Sequence, residues 1–221
     1  MQKTNKKILI KHIVCQSLLL SFIIFWAISV SLNASFVQSI DNFVFDMASK
    51  IRCKTIDNIF LFITYFGETI TIISFLIFLL IFPFRKKLIP LYYLVGISVC
   101  TNYILKNLIK RARPVGQFVN DLLFNYPFPS SYSFPSGHSQ NSLVVYFVSA
   151  YILCNNYYKG KNKKLILALI TILPVLIMIS RIILGVHFFS DVLMGACIAV
   201  LIISNYIFID KYSFKSIKNN Q

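Results

Sequence analysis

His187 and Asp191 have the types and spacing of a nucleophile and its orienting partner. They are four residues apart, so a helix would place them on one face, where the carboxylate can accept a hydrogen bond from one imidazole nitrogen. The other nitrogen would then be free to attack an electrophile. Such a pair is more often structural than catalytic when it stands alone. Here it closes a cluster that begins at Ser180-Arg181.

A second histidine, His138, ends the run Phe134-Pro135-Ser136-Gly137-His138 at the predicted start of a helix. Proline suits a first helical turn, glycine allows close backbone approach, and the free N–H groups of a helix start bind phosphate oxygens. The run therefore predicts an anion site, although a plain turn that opens a helix would also fit. His138 is one of only three histidines in the chain, which favours a chemical role.

A third cluster is basic and runs from Lys106 to Arg113-Pro114. Lys106 and Arg113 are seven positions apart, so a helix that persists would present both cations on one face. Pro114 marks the expected stop of that helix. Basic residues at the end of a membrane helix commonly extend to the interface, so this cluster indicates a functional site only together with the other two.

The surrounding chain is apolar. Its 221 residues are 57% hydrophobic and 13% charged, which excludes a water-soluble enzyme. Six apolar runs are each near the ~20 residues that a membrane-crossing helix needs. These runs cover residues 13–32, 59–82, 88–105, 139–154, 165–184 and 188–209. They predict an all-α, six-transmembrane-helix bundle in a single domain, 1–221. The first run also fits a signal peptide, but its length favours a retained helix.

The net charge of +15 is interpreted against the membrane. In a soluble protein it would suggest nucleic acid, but an apolar chain makes the bilayer the expected partner and nucleic acid an unexpected one. Most Lys and Arg fall on the side of both termini, which the positive-inside rule places in the cytoplasm. The three clusters then lie at the outward membrane surface, where we expect the active site.

Two kinds of residue outside the clusters need an interpretation. The five cysteines are odd in number and widely spread, so they predict small buried apolar residues rather than a disulfide frame or a metal site. Glu68 is the one carboxylate deep in an apolar run. It is either a packing group satisfied by a partner or a functional group.

Together the three clusters resemble the signature of the type 2 phosphatidic acid phosphatase family, which vanadium-dependent haloperoxidases share. The match covers residues 106–191, in order and with no key residue substituted. A joint match of three motifs is specific. The resemblance implies a metal-independent lipid phosphatase.

The resemblance also implies a role for each residue. His187 would attack phosphorus and form a phosphohistidine, Asp191 would orient it, and His138 would protonate the departing oxygen. The phosphoryl oxygens would be held by Lys106, Arg113 and Arg181, with the Ser136 side chain and the Gly137 amide. Phosphoryl transfer needs such converging positive charge. We expect no metal and no cofactor, because a two-metal site would require more carboxylates than Asp191.

The expected substrate is a lipid phosphate whose tail stays in the bilayer. Bacterial members of the family act on undecaprenyl diphosphate, phosphatidylglycerol phosphate or lipid A phosphates. Our first expectation is lipid A, at the periplasmic face of a bacterial inner membrane. Six aromatic residues between the first two motifs form either a cap over the head group or an ordinary interfacial belt. They are Phe118, Phe124, Tyr126, Phe128, Tyr132 and Phe134.

A competing hypothesis is a membrane protein without enzymatic activity. An anion transporter would often show two related halves with broken helices, and the sequence shows no such internal similarity. A non-catalytic lipid-binding relative would usually lack a signature histidine or arginine. Neither residue type is lost here.

Overall fold

The computed structural model describes residues 2–83, 85–114 and 130–218, and within these ranges the chain is helical with no strand. The all-α prediction is therefore confirmed. The helices are α1 (Gln2–Ser31), α2 (Ser35–Ile51), α3 (Lys54–Thr64), α4 (Thr69–Leu80), α5 (Ile89–Ile109), α6 (Gly137–Asn156), α7 (Lys163–Ile183) and α8 (Phe189–Lys218). Short 3-10 turns at Tyr65–Gly67 and Arg85–Leu88 precede α4 and α5.

Four segments of the described chain are long and apolar enough to cross a membrane: Lys6–Ser31, Arg85–Ile109, Lys163–Ile183 and Phe189–Tyr212. A fifth arises if Lys54–Gly67 and Thr69–Leu80, bent by 49° to each other, count as one span. The remaining predicted span coincides with α6, which has 20 residues but carries Gln140, Ser142 and Ser149. The count of six thus stays a prediction.

Helix α6 lies at the centre of the bundle and packs against α5, α7 and α8. Val144, Val145 and Val148 on this helix are completely buried. Its polar Gln140 and Ser142 are also completely buried. The helix is therefore surrounded by protein rather than lipid, which explains why its composition is less apolar than that of its neighbours.

The helix ends sort into two groups. The ends of α5 and α7 and the starts of α6 and α8 carry the three sequence clusters, and they meet at one end of the bundle. At the other end, the first half of α1 lies beside the second half of α8, where His12 Nε2 is 3.1 Å from Asn205 Oδ1. The clusters therefore gather at the end of the bundle that is remote from both termini.

Three local features differ from the sequence-based expectations. The run 59–82 is not one straight helix, because it breaks at Glu68. Helix α2, whose Val37 and Asp41 face the bundle, was not predicted. The helix of Lys106 does not persist to Pro114: α5 ends at Ile109, and Lys110 adopts a left-handed conformation with φ of 51°.

The cysteines are free thiols, but the prediction that they are buried is only partly right. Cys154 is buried, whereas Cys15, Cys53 and Cys100 are exposed on the bundle surface. On α1 and α5 that surface is apolar, so a thiol there contacts lipid as a small apolar group.

Candidate active site

A cavity of about 520 Å³ opens where the α3–α4 break meets α5, α6 and α7. Its walls bring together residues from all three sequence clusters. These are Lys106, Arg113, Gly137, His138, Arg181 and His187. Three cations and two imidazoles converging on one space form an arrangement suited to a phosphoryl group.

The side chain of His187 is held on both ring nitrogens and is 2% exposed. Nε2 lies 2.9 Å from Arg113 Nη1, and because a guanidinium can only donate, Nε2 must accept. The ring proton is thereby assigned to Nδ1, which is 3.3 Å from Ser133 Oγ and 3.5 Å from Asp191 Oδ2. The lone pair of Nε2 thus points to the cations.

The charge state of His187 follows from its surroundings. Burial, and then the positive charges of Arg113, Arg181 and Lys106, hold the pKa of His187 well below its usual value. A neutral imidazole keeps its lone pair at physiological pH, as a nucleophile requires.

Asp191 lies on the Nδ1 side of the His187 ring and is fully buried. Its carboxylate accepts from the backbone N–H of Phe188 at 2.9 Å, from Arg111 Nη1 at 2.7 Å and from the Ser133 hydroxyl. Ser133 thus bridges the histidine and the aspartate. Ser133 was not predicted, since a serine just before the run that starts at Phe134 carries no spacing signal of its own.

A buried ion network extends from Asp191 to helix α2. Arg111 Nη2 lies 2.6 Å from Asp41 Oδ2, while Asp41 also accepts from the backbone N–H and the hydroxyl of Ser190. Burial opposes the charge of Arg111, but Asp191 and Asp41 raise the pKa of the guanidinium above its ordinary value. Neither Asp41 nor Arg111 was predicted to belong to the site, although Arg111 is an extra arginine inside the basic cluster.

The cations predicted to bind phosphate come from different local structures. Lys106 lies in the last turn of α5 and donates to the Tyr132 carbonyl. Arg113 follows the helix end and donates to the Val186 carbonyl at 2.8 Å. Lys106 and Arg113 therefore meet because the chain turns at Lys110 and not because they share a helix face. Arg181 is completely buried and donates to Thr64 Oγ1 at 2.6 Å.

The start of α6 is fixed from both sides. Ser136 is its N-cap: the hydroxyl accepts from the Ser139 backbone N–H at 3.4 Å. Asn102 of α5 donates to the Pro135 carbonyl at 3.2 Å. On α8, Gly195 permits the close approach, because a Cβ there would lie 2.6 Å from the Ser136 carbonyl oxygen. Gly137 lines the cavity, whereas the fully buried Ser136 side chain caps the helix.

His138 occupies the first turn of α6, with its side chain 16% exposed. Its Nε2 lies 3.2 Å from Glu68 Oε1. The carboxylate that the sequence left open therefore has a partner, and that partner is a predicted catalytic residue.

Ser180 and the aromatic residues between the first two motifs remain to be placed. Ser180 Oγ donates to the Ile177 carbonyl at 2.6 Å and so supports the end of α7. Phe134 packs in a core cluster with Trp26 and Met194, so it is not part of a cap. Tyr132 is partly exposed beside the site. Phe118, Phe124, Tyr126 and Phe128 lie outside the described residues.

The signature residues are thus assembled as one site, and the comparison with known families agrees with it. The PAP2 superfamily model matches residues 87–214. This chain belongs to the PAP2 superfamily. The resemblance to type 2 phosphatidic acid phosphatases is confirmed, and this PAP2 protein is a hydrolase of lipid phosphates. Its apolar helices make it a multi-pass membrane protein.

Characterised relatives share most of the length of this PAP2 chain. Phosphatidylglycerophosphatase B of Bacillus subtilis (strain 168) is 34% identical over 191 residues, which are 82% of this chain and 88% of the relative. The crystal structure of a transmembrane PAP2-type phosphatidylglycerolphosphate phosphatase from Bacillus subtilis matches with a TM-score of 0.77 and 28% identity, covering 90% and 98% of the two chains. LpxE of Aquifex aeolicus matches with a TM-score of 0.55 and 28% identity, covering 73% and 92%.

Within the described residues, no group of three or more His, Cys, Asp and Glu side chains is close enough together to hold a metal ion. The expected independence from metal stays a prediction.

Proposed function

We propose that this chain hydrolyses phosphatidylglycerol phosphate through a phosphohistidine on His187. The observation that carries the chemistry is the convergence of His187 Nε2, Arg113 and Arg181 on one cavity that also contains His138. In the first step Nε2 forms a bond to phosphorus as the ester P–O bond breaks, and the departing oxygen takes a proton from His138. Water then cleaves the P–N bond and releases phosphate, with His138 accepting the proton of that water.

The shape of the cavity supports a lipid substrate. Its polar end carries the cations, and its other walls are Ile72, Ile73 and Leu76 of α4 with Val95 and Val99 of α5. A phosphate held by Lys106, Arg113 and Arg181 would therefore have apolar side chains beside its organic part. This is the arrangement that an amphiphile with a bilayer-bound tail requires.

The choice of lipid rests on the relatives. The Bacillus subtilis relative at 34% identity and the structural match at a TM-score of 0.77 both carry names that specify phosphatidylglycerol phosphate. We therefore propose phosphatidylglycerol phosphate as the substrate in place of lipid A, which was the first expectation from sequence. The catalytic residues themselves do not separate the two lipids, since all act on the phosphoryl group.

We also propose six membrane crossings, with both termini in the cytoplasm and the active site at the periplasmic face of an inner membrane. The sixth crossing would be α6, whose 20 residues span ~30 Å. The support is the position of the clusters at one end of the bundle, remote from the paired segments of α1 and α8. The basic turn at Arg85–Leu88 lies at the end of the bundle opposite the clusters, the same end as those paired segments, and there Lys87 lies 5.0 Å from the Tyr157 ring.

The test is phosphate release by the purified chain and its His187→Ala variant in detergent, with chelator and without added metal. Phosphatidylglycerol phosphate, lipid A and undecaprenyl diphosphate are supplied in parallel. We expect release that depends on His187 and is fastest with phosphatidylglycerol phosphate. Preference for either other lipid would overturn the substrate assignment, and release that survives in the variant would overturn the mechanism.

A further inference from the structure

The bent segment formed by α3 and α4, which we propose as one membrane span, breaks next to His138. Its two parts, Lys54–Gly67 and Thr69–Leu80, are bent by 49°. Between them Glu68 is extended, with φ of −67° and ψ of 147°. The Tyr146 hydroxyl of α6 donates to the Phe66 carbonyl at 2.7 Å, so the break is held by the helix that carries His138.

The break and the His138 ring are in direct contact. Glu68 Oε1 is 3.2 Å from His138 Nε2. A Cβ on Gly67 would lie 2.8 Å from His138 Cδ2, so only glycine allows the backbone to come this close to the ring. A sharp bend beside a glycine therefore brings the carboxylate to the imidazole.

The contact with Glu68 matters because the other permanent charges around His138 are positive. The ionisable groups lining the cavity come from the break, α5, the segment after α5, α6, α7 and the α7–α8 connection. They are Glu68, Tyr103, Lys106, Arg113, His138, Arg181 and His187. Within this described lining Glu68 is the single carboxylate. The cations disfavour an imidazolium, whereas an adjacent carboxylate favours it.

We propose that Glu68 is a positioning residue for the general acid: it orients the His138 ring and favours its protonated form. This inference rests on the proposed function, because it concerns the proton that His138 gives to the departing oxygen. It assigns a purpose to the broken span, which a straight helix with lipid-facing side chains would not provide.

The role of Glu68 predicts dependence on the leaving group. A long-chain alkyl phosphate releases a poor alkoxide leaving group and needs the acid, whereas 4-nitrophenyl phosphate releases a good one and does not. We expect Glu68→Gln to lower kcat/KM for the alkyl phosphate roughly tenfold to a hundredfold, within the ~10²–10⁴ that acid–base catalysis contributes. The loss with 4-nitrophenyl phosphate should be less than about threefold by the same reasoning.

The pH profile supplies a second measurement. Removing the carboxylate destabilises the imidazolium, so His138 loses its proton at lower pH and the alkaline limb of kcat/KM should move to lower pH. Glu68→Asp keeps a carboxylate and should place this limb between those of wild type and Glu68→Gln. A His138→Ala/Glu68→Gln double variant should lose no more than His138→Ala alone, because both changes disable one acid.

Asp210→Asn is the matched control. Asp210 accepts from the Tyr151 hydroxyl at 2.9 Å, far from the cavity, so replacing its carboxylate by an amide should leave both substrates and the pH profile unchanged. Equal losses with both phosphates in Glu68→Gln, an unmoved alkaline limb, or full activity would overturn the proposal. Failure of the wild-type chain to release phosphate from either compound would instead count against the proposed function.

Discussion

The two histidines that we propose as catalytic are held in very different ways. His187 is 2% exposed and is fixed through Ser133, Asp191 and Arg113, which come from separate parts of the chain. The network behind it continues through Arg111 to Asp41 on α2. His138 is 16% exposed, and its ionic contact is one carboxylate, Glu68, at a bend in a span.

The difference matches what each step demands. A nucleophile must present one lone pair in line with phosphorus, and small displacements cost rate, so a dense buried network is justified. An acid must hold a proton and meet an oxygen that moves as the bond breaks. One carboxylate on a bent segment supplies charge without enclosing the ring. The contacts of His187 fix its geometry, whereas the contact of His138 with Glu68 supplies negative charge.

The largest effect should come from removing each histidine. His187→Ala should abolish phosphate release from the lipid phosphate and from 4-nitrophenyl phosphate alike, by at least ~10⁴-fold, because no covalent bond to phosphorus can form. His138→Ala should remove nearly all kcat/KM for the lipid phosphate but spare kcat/KM for the aryl ester, because kcat/KM reports the first step and a good leaving group needs no acid there. Both variants should insert normally in the membrane, which membrane fractionation checks. Equal loss with the two substrates in His138→Ala would erase the distinction between the histidines.

Breaking the network behind the nucleophile should give the next largest effect. Arg111→Ala leaves Asp41 and Asp191 buried without their shared guanidinium, which costs on the order of 3 kcal/mol of stability. A lower thermal midpoint in detergent and a loss of kcat with both phosphate esters are expected, since the nucleophile is needed for each. An Asp41→Asn/Arg111→Ala double variant should be more stable than Arg111→Ala alone, because one unpaired charge is removed. If it is less stable, the network is not the source of the loss.

The smallest effect on kcat/KM should come from lowering the pH, because His187 should stay neutral in mild acid. Burial and the nearby cations lower the pKa of His187 well below 6.5, so the neutral form persists as pH falls through that value. Wild-type kcat/KM, corrected for ionisation of the substrate phosphate, should therefore fall less than about twofold between pH 7 and 5.5, where an ordinary histidine would lose roughly tenfold. A tenfold fall would show that His187 titrates normally, and the contrast between a neutral nucleophile and a charged acid would be lost.

The joint match of three motifs was sufficient to predict the signature residues that line the cavity, because each motif is local. His138 at a helix start follows from a short-range rule. His187 and Asp191 are neighbours as predicted, but they do not share a helix, because α8 begins at Phe189 and His187 precedes it. The contacts that complete the site join residues far apart in sequence, such as Glu68 with His138 or Asp41 with Arg111. No periodicity encodes these pairs, so only the folded chain shows them.

The helix boundaries were likewise predictable only where local composition determines them. The apolar runs predicted α1, α5, α7 and α8, since lipid contact imposes a composition on each. The break at Glu68 was not predicted, because both flanks are equally apolar and the bend is stabilised by Tyr146 on another helix. The end of α5 at Ile109 was also missed: the left-handed Lys110 has no sequence marker comparable to Pro114.

The polar character of α6 has a consequence for how the protein is made. A segment that carries Gln140, Ser142 and Ser149 partitions poorly into lipid on its own, although these side chains are well accommodated once neighbours surround them. Helix α7 follows after a short connection, packs along α6 and is strongly apolar. We therefore expect the proposed insertion of α6 to depend on the arrival of α7, so that the two helices enter the membrane as one hairpin. The proposed catalytic centre is likewise complete only once α8 has been synthesised, because α8 carries the Asp191 that contacts His187.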